Sequence, residues 1–213
     1  MSKTTGNLDS IAGQARQDFS AKDAAREKAL PLCRETIRCC SQAIRAIHRQ
    51  EFGQAKELLE TARGNLTEAE QAVADYRELS NTGFIRDAQK EFAEGSVLLA
   101  VVTGKQLPGP VELGIEAAPY LNGIGETVGE LRRYLLDGVR QGDLSRSEEL
   151  LSVMDDIYNI LVTMDFPDAV TNGLRRTTDM VRGVLERTRS DLTLVMRQKD
   201  LEDRLGEFEG KIG

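Results

Sequence analysis

The 213 residues fit one domain, and 40% apolar with 30% charged residues is the make-up of an ordinary globular chain. Trp is absent, aromatics are 5%, and Leu, Ala, Glu, Arg and Gln dominate over β-branched runs, so the expected fold class is all-α. The net charge of -7 excludes a grip on phosphate backbones through overall charge, leaving only a local basic face for nucleic acid.

The polar start MSKTTGNLDSIAGQARQD lacks the apolar centre of a signal peptide, and no run of roughly 18 or more apolar residues follows it. The expectation is a cytoplasmic protein with no membrane span, a flexible leader over residues 1–20, a helical domain over 21–200 and a charged tail over 201–213. A first helix is expected from about Asp23 to Arg49, with Leu30, Cys33, Ile37, Cys40, Ile44 and Ile47 as its core stripe. Its three cysteines, Cys33, Cys39 and Cys40, are odd in number and confined to this helix, which suits free or buried thiols rather than a disulfide framework. Arg34, Arg38, Arg45 and Arg49 share an arc beside that stripe and rise about 22 Å along the axis, a spacing that could follow several phosphates or pair with acids on a neighbour. His48 reads as a boundary residue.

Phe52 and Gly53 break the period, and a second helix is expected from about Gln54 to Leu79. Ser80, Asn81, Thr82 and Gly83 then offer caps for a third, about Phe84 to Thr103, closed by Gly104 and the Pro108–Gly109–Pro110 connection. On its wheel Asp87, Glu91 and Glu94 lie in one arc that continues into Leu98, Val101 and Val102, so carboxylates lead into a core stripe. Buried there, they would be costly without a cation or an Arg; the alternative is a solvated helix end.

A fourth helix, about Pro119 to Gln141, carries Glu126 and Glu130 off its main apolar arc, a solvated position by default. Gly125 and Gly129 lie next to these acids, and glycines inside a helix point to close approach by another helix or a ligand. Ser145 is the expected cap of a fifth helix reaching about Met164, and Pro167 suits the first turn of a sixth that continues to about Arg197. No glycine-rich phosphate loop, Ser/His/Asp set or Cys/His nucleophile can be assembled, so phosphoryl chemistry would have to rely on a metal ion.

The block QKEFAEG (89–95), the stretch ELGIEAAPYLNGIGETVGELRR (112–133), the turn GDLSR (142–146) and the spacing onward to IYNIL (157–161) resemble the translin and translin-associated factor X family over residues 25–200. The resemblance implies an all-α bundle or superhelix of six to seven helices. It also implies assembly into hollow, usually octameric particles that bind single-stranded RNA or DNA. Glu91 and Glu94 match the acidic pair of the factor X branch, in which the acidic set is implicated in Mg²⁺-dependent endoribonuclease action. Glu126 falls where that branch usually has aspartate, and Glu130 matches a glutamate common in the family.

The resemblance thus implies Glu91, Glu94 and Glu126 as catalytic residues. With Glu130 they would hold Mg²⁺, or Mn²⁺ in its place. Arg34, Arg38, Arg45 and Arg49, with Arg86 and Arg133, are the candidates for gripping RNA. The absence of a long insertion between the third and fourth helices suits a compact homo-octamer. Two other readings are a non-catalytic single-strand binder with structural acids, and a scaffold with no nucleic-acid role.

Overall fold

The computed structural model describes residues 5–212, with side chains through Phe208. Residues 1–4 of the expected leader and residue 213 of the expected tail lie outside the described residues. The described chain forms six long helices: α1 (Leu8–His48), α2 (Phe52–Val73), α4 (Gly83–Val102), α6 (Ala117–Arg140), α7 (Ser147–Val162) and α9 (Leu174–Ile212). Single turns intervene at α3 (Arg77–Ser80), α5 (Pro110–Leu113) and α8 (Asp168–Thr171). This is the expected all-α fold.

α4 and α6 cross at the centre. α1 and α2 pair with each other and close over α4, while α7 and α9 pack against α6 from the other side. The core follows from the apolar stripes. Cys33, Cys40, Ile44 and Ile47 of α1 meet Ala62 and Leu66 of α2 and Phe92 and Leu98 of α4, and Val128 and Leu131 of α6 meet Leu161 and Val181. Cys33, Cys39 and Cys40 are buried free thiols. Thr36 lies with them, its hydroxyl donating to the Leu32 carbonyl at 2.9 Å.

Several boundaries differ from those read in the sequence. α1 begins at Leu8 rather than near Asp23, so residues 8–20 are helical although Leu8, Ile11 and Phe19 remain exposed. α2 stops at Val73 instead of Leu79, because Ser80 folds back and its hydroxyl donates to the Val73 carbonyl at 2.9 Å, closing the separate turn α3. Ser145 does not cap α7, which starts at Ser147. Instead Asp143 accepts the Ser145 N–H at 2.9 Å and shapes the preceding turn. The single helix expected from Pro167 is split, because Asn172 (φ 54°) and Gly173 (φ 82°) both take the left-handed conformation that ends α8 before α9 begins. α9 then runs unbroken through the charge-dense segment to Ile212. No helix of the described residues is long and apolar enough to cross a membrane.

Candidate metal centre

The site is made by one close crossing. A Cβ placed on Gly123 of α6 would lie 2.5 Å from the Lys90 carbonyl oxygen, 2.7 Å from the Ala93 Cβ and 3.2 Å from the Glu94 nitrogen. The backbone of α6 therefore rests directly on α4 along Lys90 to Glu94, an approach only glycine permits. Thr127, fully buried, reinforces it: its hydroxyl lies 3.0 Å from the Gly123 carbonyl and 3.3 Å from that of Glu94. Glu126 sits three residues beyond Gly123, so its carboxylate is delivered to the acidic face of α4.

Glu91, Glu94 and Glu126 converge there, each offering an oxygen within 4.8 Å of the others. Glu94 is the deepest, 8% exposed, while Glu91 and Glu126 are half-buried. Neither the Glu91 nor the Glu94 carboxylate has a hydrogen-bond or ion-pair partner among the described residues. Burial, followed by the charges of Glu91, Glu126 and Glu130, pushes the Glu94 carboxyl up to about 8. Glu91 is raised too, chiefly by burial, with Lys90 opposing. Three hard oxygen donors that converge on one point, one of them buried and unpaired, fit a hard divalent cation.

Glu130 behaves differently. His48 Nε2 donates to its Oε2 at 2.5 Å, and Arg133 lies 3.7 Å from the same oxygen. The His48 contact holds Glu130 below the usual glutamate range despite burial, and the charges of His48 and Arg133 add to it. Its charge still reaches Glu91 and Glu94, so it borders the cluster, yet its oxygens are not among those that converge. The sequence reading passed over His48 as a boundary residue. The side chain is only 5% exposed and Nδ1 is buried without a partner. The signal was available, since position 48 lies one turn beyond Ile44 on the buried stripe of α1.

Lys90 was also missed. Helical spacing suggests a local pair with Glu94, four residues on, but the ammonium reaches across to Glu126, with Nζ 2.8 Å from Oε1. Burial opposes the charge of Lys90, but the bond to Glu126 and the nearby charges of Glu126, Glu91 and Asp87 outweigh it, raising its pKa.

Of the expected glycines, Gly125 lies against Thr177 of α9, 2.3 Å from an added Cβ, and so has a packing reason. Gly129 has nothing within 4 Å. Gly123, not singled out in the sequence, is the residue that joins the acidic helices.

Arg34, Arg38 and Arg45 on α1 and Arg49 just past its end are all exposed, as a continuous basic strip requires. Arg38 is held by Glu35 through bonds of 2.8 and 2.5 Å, and Arg49 by Glu51 at 2.8 Å, whereas Arg34 and Arg45 form no ion pair among the described residues. In sequence, Arg45 and Arg49 flank His48, the residue that contacts Glu130. Arg86 is half-buried on α4, one turn before Lys90, and Arg133 is exposed on α6.

An all-helical bundle with a carboxylate cluster at its central crossing is the class of protein that these features define. No family model matches the chain. An uncharacterized protein of Methanocaldococcus jannaschii is 30% identical over 189 residues, covering 86% of this chain and 82% of that protein. Among solved structures, AfC3PO matches with a TM-score of 0.82 at 31% identity, covering 88% of this chain and 98% of the other. AfC3PO in complex with duplex RNA matches with a TM-score of 0.78 at 32% identity, covering 88% and 97%. Apo-NeC3PO, at 16% identity and a TM-score of 0.76 over 89% of this chain and 97% of its own, shares the fold. The chain belongs to the translin and translin-associated factor X family, in its compact archaeal-type form.

Proposed function

We infer that the chain is a metal-dependent endoribonuclease whose ion, Mg²⁺ or Mn²⁺, is held by Glu91, Glu94 and Glu126, with Glu130 at its edge. One observation carries the reading: carboxylates from two different helices converge, the deepest of them buried with no counter-ion of its own. A bound divalent ion would supply a Lewis acid for a phosphate oxygen and lower the pKa of a water molecule. The remaining work falls to the chain. Glu94, whose carboxyl burial raises to about 8, would release its proton to water on binding an ion. His48 keeps the Glu130 carboxylate turned and ionised beside the cluster. Arg34 and Arg45, unpaired on the exposed strip, hold the RNA backbone, with Arg38, Arg49, Arg86 and Arg133 around them.

The RNA complex of AfC3PO supports RNA as the substrate class, and because that RNA is a duplex, single-stranded and duplex forms are both to be tested. Assembly into a homo-octamer is part of this reading. Val111 (94% exposed), Val170 (66%) and Phe166 (62%) on one chain suit burial against further copies, and light scattering giving the mass of a monomer would remove the enclosed site. For the chemistry, labelled single-stranded and duplex RNA are incubated with Mg²⁺ and with EDTA, using the wild type and Glu91→Gln and Glu94→Gln. Cleavage that needs Mg²⁺ and disappears in both variants is expected. Cleavage that persists in both would remove this site from the reaction.

The second reading, a non-catalytic RNA binder, is favoured by Lys90, which neutralises part of the acidic cluster without any ion. RNA binding with no Mg²⁺-dependent cleavage would establish it.

A further inference from the structure

We propose that Lys90 is the site's exchangeable cation: in the ion-free chain it occupies Glu126, and once Glu126 serves a divalent ion the freed ammonium holds an oxygen of the RNA phosphate at the site. This rests on the metal-centre reading and assigns a role to a residue which that reading leaves unused.

The geometry sets up a competition. Lys90 Nζ is 2.8 Å from Glu126 Oε1, and that carboxylate also belongs to the converging set, so the ammonium and an ion claim the same group. The contact lies at the mouth of the cluster, where the Lys90 side chain is 27% exposed and that of Glu126 33%, while Glu94 lies deeper. Lys90 therefore reaches the site from its open side, the side from which a phosphate must approach. Its four-carbon stem is flexible and its anchor is close, because Gly123 seats α6 on the Lys90 backbone itself. An ammonium displaced from Glu126 remains tethered over the cluster mouth. Charge is consistent with this arrangement: the three carboxylates are balanced formally by one dication together with Lys90, which favours one ion per chain.

Two variants test it, Lys90→Met, which keeps the length and removes the charge, and Lys90→Arg, which keeps the charge. The first readout is Mn²⁺ binding without RNA, by electron paramagnetic resonance. Lys90→Met is expected to bind Mn²⁺ about three- to tenfold more tightly than wild type, with one ion per chain, because its rival for Glu126 is gone. Lys90→Arg is expected to stay near wild type.

The second readout is the affinity for a short RNA with unmodified phosphates, measured by stopped-flow association and dissociation in EDTA and in Mn²⁺ before any cleavage. In EDTA, Lys90→Met and wild type are expected to bind RNA equally, since Lys90 is engaged with Glu126. In Mn²⁺ the Met variant is expected to bind about three- to tenfold more weakly, and Arg to restore most of the loss. Unchanged or weaker Mn²⁺ binding by Lys90→Met overturns the competition, and an equal Met-to-wild-type ratio of RNA affinities in EDTA and Mn²⁺ overturns the phosphate contact. Failure of the wild type to cleave RNA in Mg²⁺ would sink the nuclease reading alone, because neither readout depends on turnover.

Discussion

The acids of α4 and those of α6 stand side by side but live under opposite rules. Glu91 and Glu94 face inward without partners, and burial raises both, Glu94 to about 8. Glu126 and Glu130 each have a base, Lys90 and His48, brought from α4 and α1. One helix thus supplies donors that want a cation, and the other supplies donors already partnered within the chain. A site built this way pairs a deep acceptor for an ion with a mouth whose charges are set in advance.

The comparison breaks most visibly at Glu94. Replacing it with Gln removes the deepest donor, and RNA cleavage is expected to fall by roughly 10²–10³-fold or more, with Mn²⁺ binding lost in direct titration. The same variant sharpens the comparison through pH. Between the ordinary glutamate range and about 8, the folded metal-free chain keeps a proton on Glu94 that the unfolded chain has released. The stability this contributes is present below the ordinary glutamate range and is lost as pH rises through about 8. The loss is on the order of 5 kcal/mol. Denaturant melts of the metal-free wild type should therefore show stability declining from mildly acidic to mildly alkaline pH, and Glu94→Gln should flatten that decline. A wild-type curve with no decline between the ordinary glutamate range and about pH 8 would contradict the buried, unpaired environment of Glu94.

Glu130 carries the opposite sign. Its carboxyl is lowered by the His48 bond, so its contribution is present above the ordinary glutamate range and is lost as pH falls through the depressed value. Removing the carboxylate with Glu130→Gln also leaves His48, already unpaired at Nδ1, without its charged acceptor. Urea unfolding near neutral pH is expected to report a loss of about 1–3 kcal/mol for this variant. His48→Ala, which deletes the ring, adds a cavity to that cost. A Glu130→Gln protein as stable as wild type would show that the 2.5 Å contact holds nothing in place.

Half of this contrast was legible in the sequence. The wheel of α4 places Glu91 and Glu94 on the arc that runs into Leu98 and Val101, which makes burial one of the two readings that periodicity offers. The wheel of α6 places Glu126 and Glu130 off the apolar arc, which on an isolated helix means solvent. They are half-buried because α4 and α1 cover them, and a wheel does not record which helix lies opposite. Gly123 was the deciding residue, but among the several glycines of α6 only contact distances single it out. Lys90 and His48 escaped for a related reason, since their partners lie 36 and 82 residues away in the chain and local spacing favours nearer ones. The breaks around Asn172 and Gly173 arise from left-handed backbone that Pro167 alone does not announce.

The smallest expected effect concerns the arginine strip, and it tests whether nucleic acid approaches along α1 at all. Arg38 and Arg49 are engaged by Glu35 and Glu51, while Arg34 and Arg45 have no such partner among the described residues. Each free guanidinium that meets a phosphate releases a counter-ion from the RNA. Arg34→Ala and Arg45→Ala should therefore each weaken binding about two- to fivefold at moderate salt and lower the slope of log affinity against log salt by about 0.7 for a single strand. Arg38→Ala and Arg49→Ala should change that slope less, because their charges are already compensated. If all four substitutions lower it equally, the local pairs yield to RNA and the whole strip acts as one surface. If none does, the backbone is held elsewhere, and Arg86 and Arg133, nearer the carboxylates, become the arginines to test.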